Sequence, residues 1–152
     1  MILSSERSVM EPKRIADVMG GRAVLRKSVT SIKQLEEIVG DGLPKEALRL
    51  TVRRVFDQAS DVTRHIYRIV PEATYKRRRG KLRAIESERT ERLARVIAAA
   101  ESVWGDQTDA REWLTTPHPE LNGRRPVECA LSELGARQVE DVLDRLQYGL
   151  PL

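Results

Sequence analysis

The chain has 152 residues, enough for one large domain or two small ones. Apolar residues make up 40% and charged residues 33%, with only 4% aromatic, so the core must be aliphatic and the surface densely charged; the single cysteine, Cys129, excludes an internal disulfide and a cysteine-based zinc site. The net charge of +4 conceals an asymmetry, because residues 1–98 carry 22 Lys/Arg against 13 Asp/Glu (+9) and residues 99–152 carry 5 against 10 (−5), a split that points to a polyanion-binding front and a rear with another task.

Residues 1–11 are polar, show no charged-then-apolar signal pattern, and are expected to be ragged. A short helix is predicted over residues 12–19, with Pro12 in its first turn, Ile15, Val18 and Met19 on one face, and Gly20-Gly21 as its stop. Residues 23–28 read as a connector or a short helical turn. Ser31-Ile-Lys-Gln34 is a capping-box pattern opening a helix to about Val39, ended by Gly40-Asp41-Gly42. Pro44 opens the next helix, to about Phe56, with Leu48, Val52, Val55 and Phe56 as its apolar stripe. Ser60 is a predicted cap for a helix over residues 61–69 with Val62, Ile66 and Ile69 inward. Pro71 then starts a helix holding Ala73, Thr74, Tyr75 and the arginine run, ending at Gly80.

A long amphipathic helix is predicted from about Ile85 to Trp104, with Leu93, Val96, Ile97, Ala100 and Val103 on its 3.6-residue period and Gly105 as a left-handed cap. At about 1.5 Å per residue it is long enough to tie two halves together. Thr108 or Asp109 starts another helix through Trp113 and Leu114. A proline- and glycine-punctuated loop follows over residues 116–123, a contact surface or a rigid connector. A short helix is predicted over residues 126–131. Ser132 caps the last helix, with Glu133 in its first turn, Leu134, Val139, Val142, Leu143 and Leu146 apolar, and Gly149 as its stop. The expected fold is therefore all-α. The expected division is residues 1–83 and residues 84–152. Trp104 and Trp113 are expected in the core of the second part, and Cys129 as a small buried apolar residue in a reducing cytoplasm. The longest apolar run, residues 96–100, is far too short to span a bilayer.

Three helices in quick succession, over residues 44–56, 60–69 and 71–79, resemble a helix-turn-helix. The third would enter the major groove, offering Glu72, Thr74 and Lys76 to base edges, while Arg77, Arg78, Arg79 and Lys81 suit phosphates. The competing reading is a solvated cationic cap on a helix end. The join Ile69-Val-Pro71 lacks the glycine that often makes this bend. Tyr75 reads as a core anchor for the groove helix.

Catalytic chemistry is not expected. His65, placed on a solvated or lightly packed face, and His118, in a loop, have no ligand-spaced partners. No phosphate-cradling glycine loop and no nucleophile pattern appear. Glu140, Asp141 and Asp144 read as solvated carboxylates. Neither a metal nor a cofactor is expected.

Several pieces of the chain recur in one order and spacing: Val18-Met-Gly-Gly21, Gly42-Leu-Pro44, Thr74-Tyr-Lys-Arg-Arg78, Ser87-Glu-Arg89, Arg92-Leu-Ala-Arg95, Trp104-Gly-Asp106, Trp113-Leu114, Pro117-His-Pro-Glu-Leu-Asn-Gly123, Pro126, and Gly135-Ala-Arg-Gln-Val-Glu140 through Arg145-Leu-Gln-Tyr-Gly149. The set resembles Xre/MbcA/ParS-type antitoxins, whose Xre-like helix-turn-helix part is followed by a small helical toxin-binding domain. Two departures stand out: Ala73 replaces the arginine common before the threonine, and the bend is glycine-free. The resemblance implies an antitoxin of a type II toxin–antitoxin module. Its partner would be a RES-domain toxin that consumes NAD⁺, with Arg145, Tyr148, Gly149, Leu150, Pro151 and Leu152 occluding the toxin's active site. Operator DNA would be bound for autorepression, by at least a homodimer. The alternatives are a stand-alone helix-turn-helix regulator without a toxin, and an adaptor whose arginine run is structural. A tail folded back on its own helices competes with the occluding one.

Overall fold

The computed structural model describes residues 10–152. The ragged start expected for residues 1–11 lies outside the described residues up to position 9. Among the described residues ten helices follow one another: α1 (Pro12–Val18), α2 (Gly21–Leu25), α3 (Ile32–Asp41), α4 (Lys45–Arg53), α5 (Ala59–Ile69), α6 (Glu72–Arg77), α7 (Ala84–Trp104), α8 (Gln107–Leu114), α9 (Pro126–Cys129) and α10 (Glu133–Gln147). A 3₁₀ turn, Pro119–Leu121, lies between α8 and α9. No strand forms among the described residues; only two isolated antiparallel bridges occur, Pro44 with Lys81 and His118 with Arg124. The chain is all-α, as its apolar periodicities predict.

α7 is the axis. It packs against α1, α3, α4, α5, α8 and α10. The sequence supplies the means in a short stretch: Leu93, Ala94, Val96, Ile97, Ala98 and Ala100 are all buried. The large aliphatics were expected to form one stripe. Ala94 and Ala98 widen it, because their small side chains let neighbouring helices approach on further faces. The buried apolar residues from Ile15 to Leu143 join in one cluster.

Local chemistry sets the helix ends. Ser31 Oγ accepts the backbone N–H of Gln34, and Gln34 Oε1 accepts from the backbone N–H of Thr30, one residue before the cap. Gly40 and Asp41 continue α3, which stops at Gly42. Gly42 has φ 96°, and a Cβ there would meet the Leu82 carbonyl oxygen at 2.5 Å. That close approach lets the segment after α6 pair with the segment before α4: Leu82 N–H donates to Leu43 O (2.7 Å), and Lys45 N–H donates to Gly80 O (3.1 Å). Ser87 Oγ, fully buried on α7, takes the Leu43 N–H at 2.8 Å.

Several expectations need correction. Ser60 does not cap α5, because the helix begins one residue earlier, behind Gln58 in extended backbone. α8 starts behind Asp106, whose carboxylate accepts from Asp109 N–H, and not at Thr108 or Asp109. α6 ends at Arg77, so Arg78 and Arg79 are non-helical; Arg78 turns into extended backbone at φ −65°, ψ 127°. His65 is not solvated: it is 4% exposed and its ring lies 5.4 Å from that of Phe56. Trp104 is 39% exposed, on the surface beside half-buried Trp113, and Leu134 is 70% exposed.

Candidate nucleic-acid and partner interfaces

The cationic segment is built where α6 gives way to α7. α5 ends in two extended residues, Val70 and Pro71. Val70 is fully buried, and Arg89 of α7 donates to the carbonyl of Ile69 at 3.2 Å, satisfying the end of α5. A buried valine thus makes the join that was read as lacking its glycine. Tyr75 anchors α6, half-buried against Tyr67 at 6.1 Å, with the Lys45 ammonium 4.1 Å over its ring.

The seven residues expected at this surface fall into three environments. Glu72 and Lys76 are paired with each other one turn apart at 2.7 Å, both exposed, and this bond raises the lysine's pKa. Arg77, Arg79 and Lys81 are exposed, and Thr74 is half-buried. Arg78 is different. Its guanidinium grips Glu86 in a bidentate pair at 2.5 and 3.1 Å, with only 15% and 9% of the two side chains exposed. Glu86 also accepts the Arg83 N–H at 2.8 Å, closing the start of α7. Arg78 is thereby a strut between the basic segment and the axis. A shallow hollow brings Thr74, Arg77, Arg78 and Arg79 together with Arg83. Arg83 was missed, since nothing in the sequence separates it from any solvated arginine.

The other expected set lies at the end of the chain. Ser132 Oγ caps α10 on Gly135 N–H at 3.0 Å. The helix closes in a Schellman turn: Gly149 N–H donates to Leu146 O (3.4 Å) and Leu150 N–H to Arg145 O (2.8 Å). Gly149 sits at φ 66°, the left-handed conformation this closure demands. Arg145 links the two ends of the turn, pairing with Asp141 at 3.2 Å and donating to Pro151 O at 3.4 Å. Leu152 borders a hollow with Glu120, Asn122 and Gln138. The tail backbone is therefore held, while Leu150 and Leu152 remain 55% and 54% exposed and Tyr148 46%. All six residues expected here are together.

The rest of the rear part stiffens this end. His118 stacks on Trp113 at 4.9 Å and its Nε2 lies 2.9 Å from the Trp113 carbonyl, fixing the residue 117–123 loop. Arg54 clamps Glu101 at 2.7 and 2.9 Å, and Arg111 reaches Asp57 and the Arg54 carbonyl, tying α4 to α7 and α8. Cys129 is buried as expected, and burial raises its pKa. Glu140 is half-buried, contrary to expectation, and burial raises its pKa.

Residues 99–149 match the family model described as the antitoxin Xre/MbcA/ParS C-terminal toxin-binding domain. The chain is 34% identical over 67 residues to a Pseudomonas putida protein named antitoxin Xre, covering 44% of this chain and 42% of that one. It is 36% identical over 85 residues to a Yersinia enterocolitica protein of the same name, covering 53% and 57%. The chain spans about half the length of the curated relatives it matches. Its resemblance to Xre/MbcA/ParS-type antitoxins is thus found by whole-segment comparison as well as by motif. No helix among the described residues is long and apolar enough to cross a membrane.

Proposed function

We propose that this chain is the antitoxin of a type II toxin–antitoxin module, with Arg145 and residues 148–152 as the plug for its toxin. The carrying observation is the tail: Leu150 and Leu152 are exposed on a backbone fixed by a Schellman turn, at the end of a segment that matches a toxin-binding domain. Preorganisation lowers the ordering cost of docking. Each leucine, once buried in a partner, contributes roughly 2 kcal/mol before other costs. The toxin class we favour is the RES type that consumes NAD⁺, its active site occluded by the tail.

The second half of the proposal is operator binding by the α6–α7 segment in a homodimer, giving autorepression in the cytoplasm. Arg77, Arg79, Lys81 and Arg83 support it as exposed cations. Arg78 supports it indirectly, holding that segment on α7. Co-expression with the product of the adjacent open reading frame tests both halves. Removing residues 148–152 is expected to abolish growth rescue and leave operator binding intact. Replacing Arg77, Arg79 and Lys81 by alanine is expected to do the reverse. Full rescue by the truncated chain defeats the plug; no rescue by the full chain leaves a stand-alone regulator; unchanged DNA affinity in the alanine variant leaves the adaptor.

A further inference from the structure

Between α3 and α10 lies a cavity of about 550 Å³, open to solvent along one side. α7 forms its floor. The floor residues Glu88, Glu91, Arg95, Ala99 and Ser102 are spaced by three, four, four and three, which is one face of one helix. At 1.5 Å per residue this strip is about 21 Å long, or about four turns. Leu35 and Val39 of α3 are buried along one wall, and Ile32 stands at the lip, 62% exposed. Glu140, Leu143, Asp144 and Gln147 of α10 make the other wall, again at three- and four-residue spacing. α7 packs on both walls, yet no described residue covers this strip between them.

Charge defines what fits. Five carboxylates border the groove (Glu36, Glu88, Glu91, Glu140 and Asp144) against one guanidinium, that of Arg95. Ionised, they give 1 − 5 = −4, on a chain whose total is +4. Arg95 is already shared between Glu133 and Glu140 at 3.7 Å each. The carboxylates stand beside an apolar band of Leu35, Val39, Ala99 and Leu143. An occupant must therefore present an apolar face to that band and cationic side chains to the carboxylates around it. A strip of four turns exceeds a compact small molecule and matches a helix lying in a groove.

We propose that this groove docks a basic amphipathic helix of a partner protein, its aliphatic side chains on the band of Leu35, Val39, Ala99 and Leu143 and its lysines or arginines against the carboxylates of α3, α7 and α10. The surface uses neither the cations of residues 77–83 nor the tail. The full chain is titrated against a labelled amphipathic 16-residue peptide, with leucines at i, i+3, i+4 and i+7 and lysines on its flanks, and against the same peptide with glutamates for lysines, about four turns each. The lysine peptide is expected to bind, and the glutamate peptide about ten-fold more weakly or worse. The exposed-residue variants Ile32→Arg and Glu36→Lys/Glu88→Lys are each expected to lose about ten-fold in affinity for the lysine peptide with unchanged melting temperature. Absence of binding, equal affinity for both peptides, or indifference to these variants overturns the proposal. So does a dimer that Ile32→Arg disperses, since a second copy would then fill the groove.

Discussion

His65 is the residue whose behaviour is least like its appearance in the sequence. The helical period placed it on a solvated or lightly packed face, because the inward stripe was read through Val62, Ile66 and Ile69 and left it out. In the structure it is enclosed beside Phe56, Nε2 has no hydrogen-bond partner among the described residues, and burial first, then Arg68 and Arg125, lower its pKa to about 4, with Glu128 opposing. A depressed histidine favours the fold above its unfolded pKa of about 6.5, and that stability is lost as pH falls toward 4. The loss is roughly 3 kcal/mol across that window. Melting temperature against pH should show this decline, and His65→Gln should flatten it; equal slopes in the two proteins would refute the assignment. Arg78 makes the same point among cations. It is one of four consecutive basic residues, and only the distance to Glu86 distinguishes it. Arg78→Ala should destabilise by roughly 3 kcal/mol through the stranded Glu86, whereas Arg79→Ala should change stability by less than about 0.5 kcal/mol. Urea unfolding of both variants decides.

Elements were most legible where a cap and a long apolar period coincided. The end of α7 at Gly105, the Ser31 and Ser132 caps and the stop at Gly149 all follow from local chemistry written in a few adjacent residues. The starts of α5 and α8 were displaced: Asp106, two residues before Thr108, caps α8 with its carboxylate, while α5 begins behind extended Gln58 with no side-chain cap. α6 was overextended because arginines favour helices, while Arg78 follows Glu86 instead. The closing turn of α10 carries its own prediction. Gly149→Ala places a Cβ at φ 66° and should cost about 1 kcal/mol. It should also weaken any binding that depends on the tail's posture, more than a substitution at exposed Gln147; equal effects on binding would show that the turn only ends the helix.

At the scale of the molecule, the charge split was visible in the sequence, but its spatial arrangement was not. Helices from both sides of residue 83 pack on α7, so the basic segment and the tail are mounted on one frame. Alanines and paired arginines provide that mounting, and neither residue type announces its neighbours. Arg77, Arg79, Lys81 and Arg83 remain as exposed cations, while Arg78 is engaged. The log–log salt dependence of DNA affinity should therefore have a slope near −3 to −4 per subunit, and each alanine should reduce it by about 0.9. A slope unaffected by Arg79→Ala would remove these residues from the phosphate contacts.

The tail is the decisive feature. Leu150 and Leu152 are exposed in the chain alone, so replacing both with alanine should leave its melting temperature unchanged. Affinity of the purified double variant for the toxin tests the plug directly. A loss of about 100-fold or more, with operator affinity intact, is the predicted result; unchanged toxin affinity would contradict it.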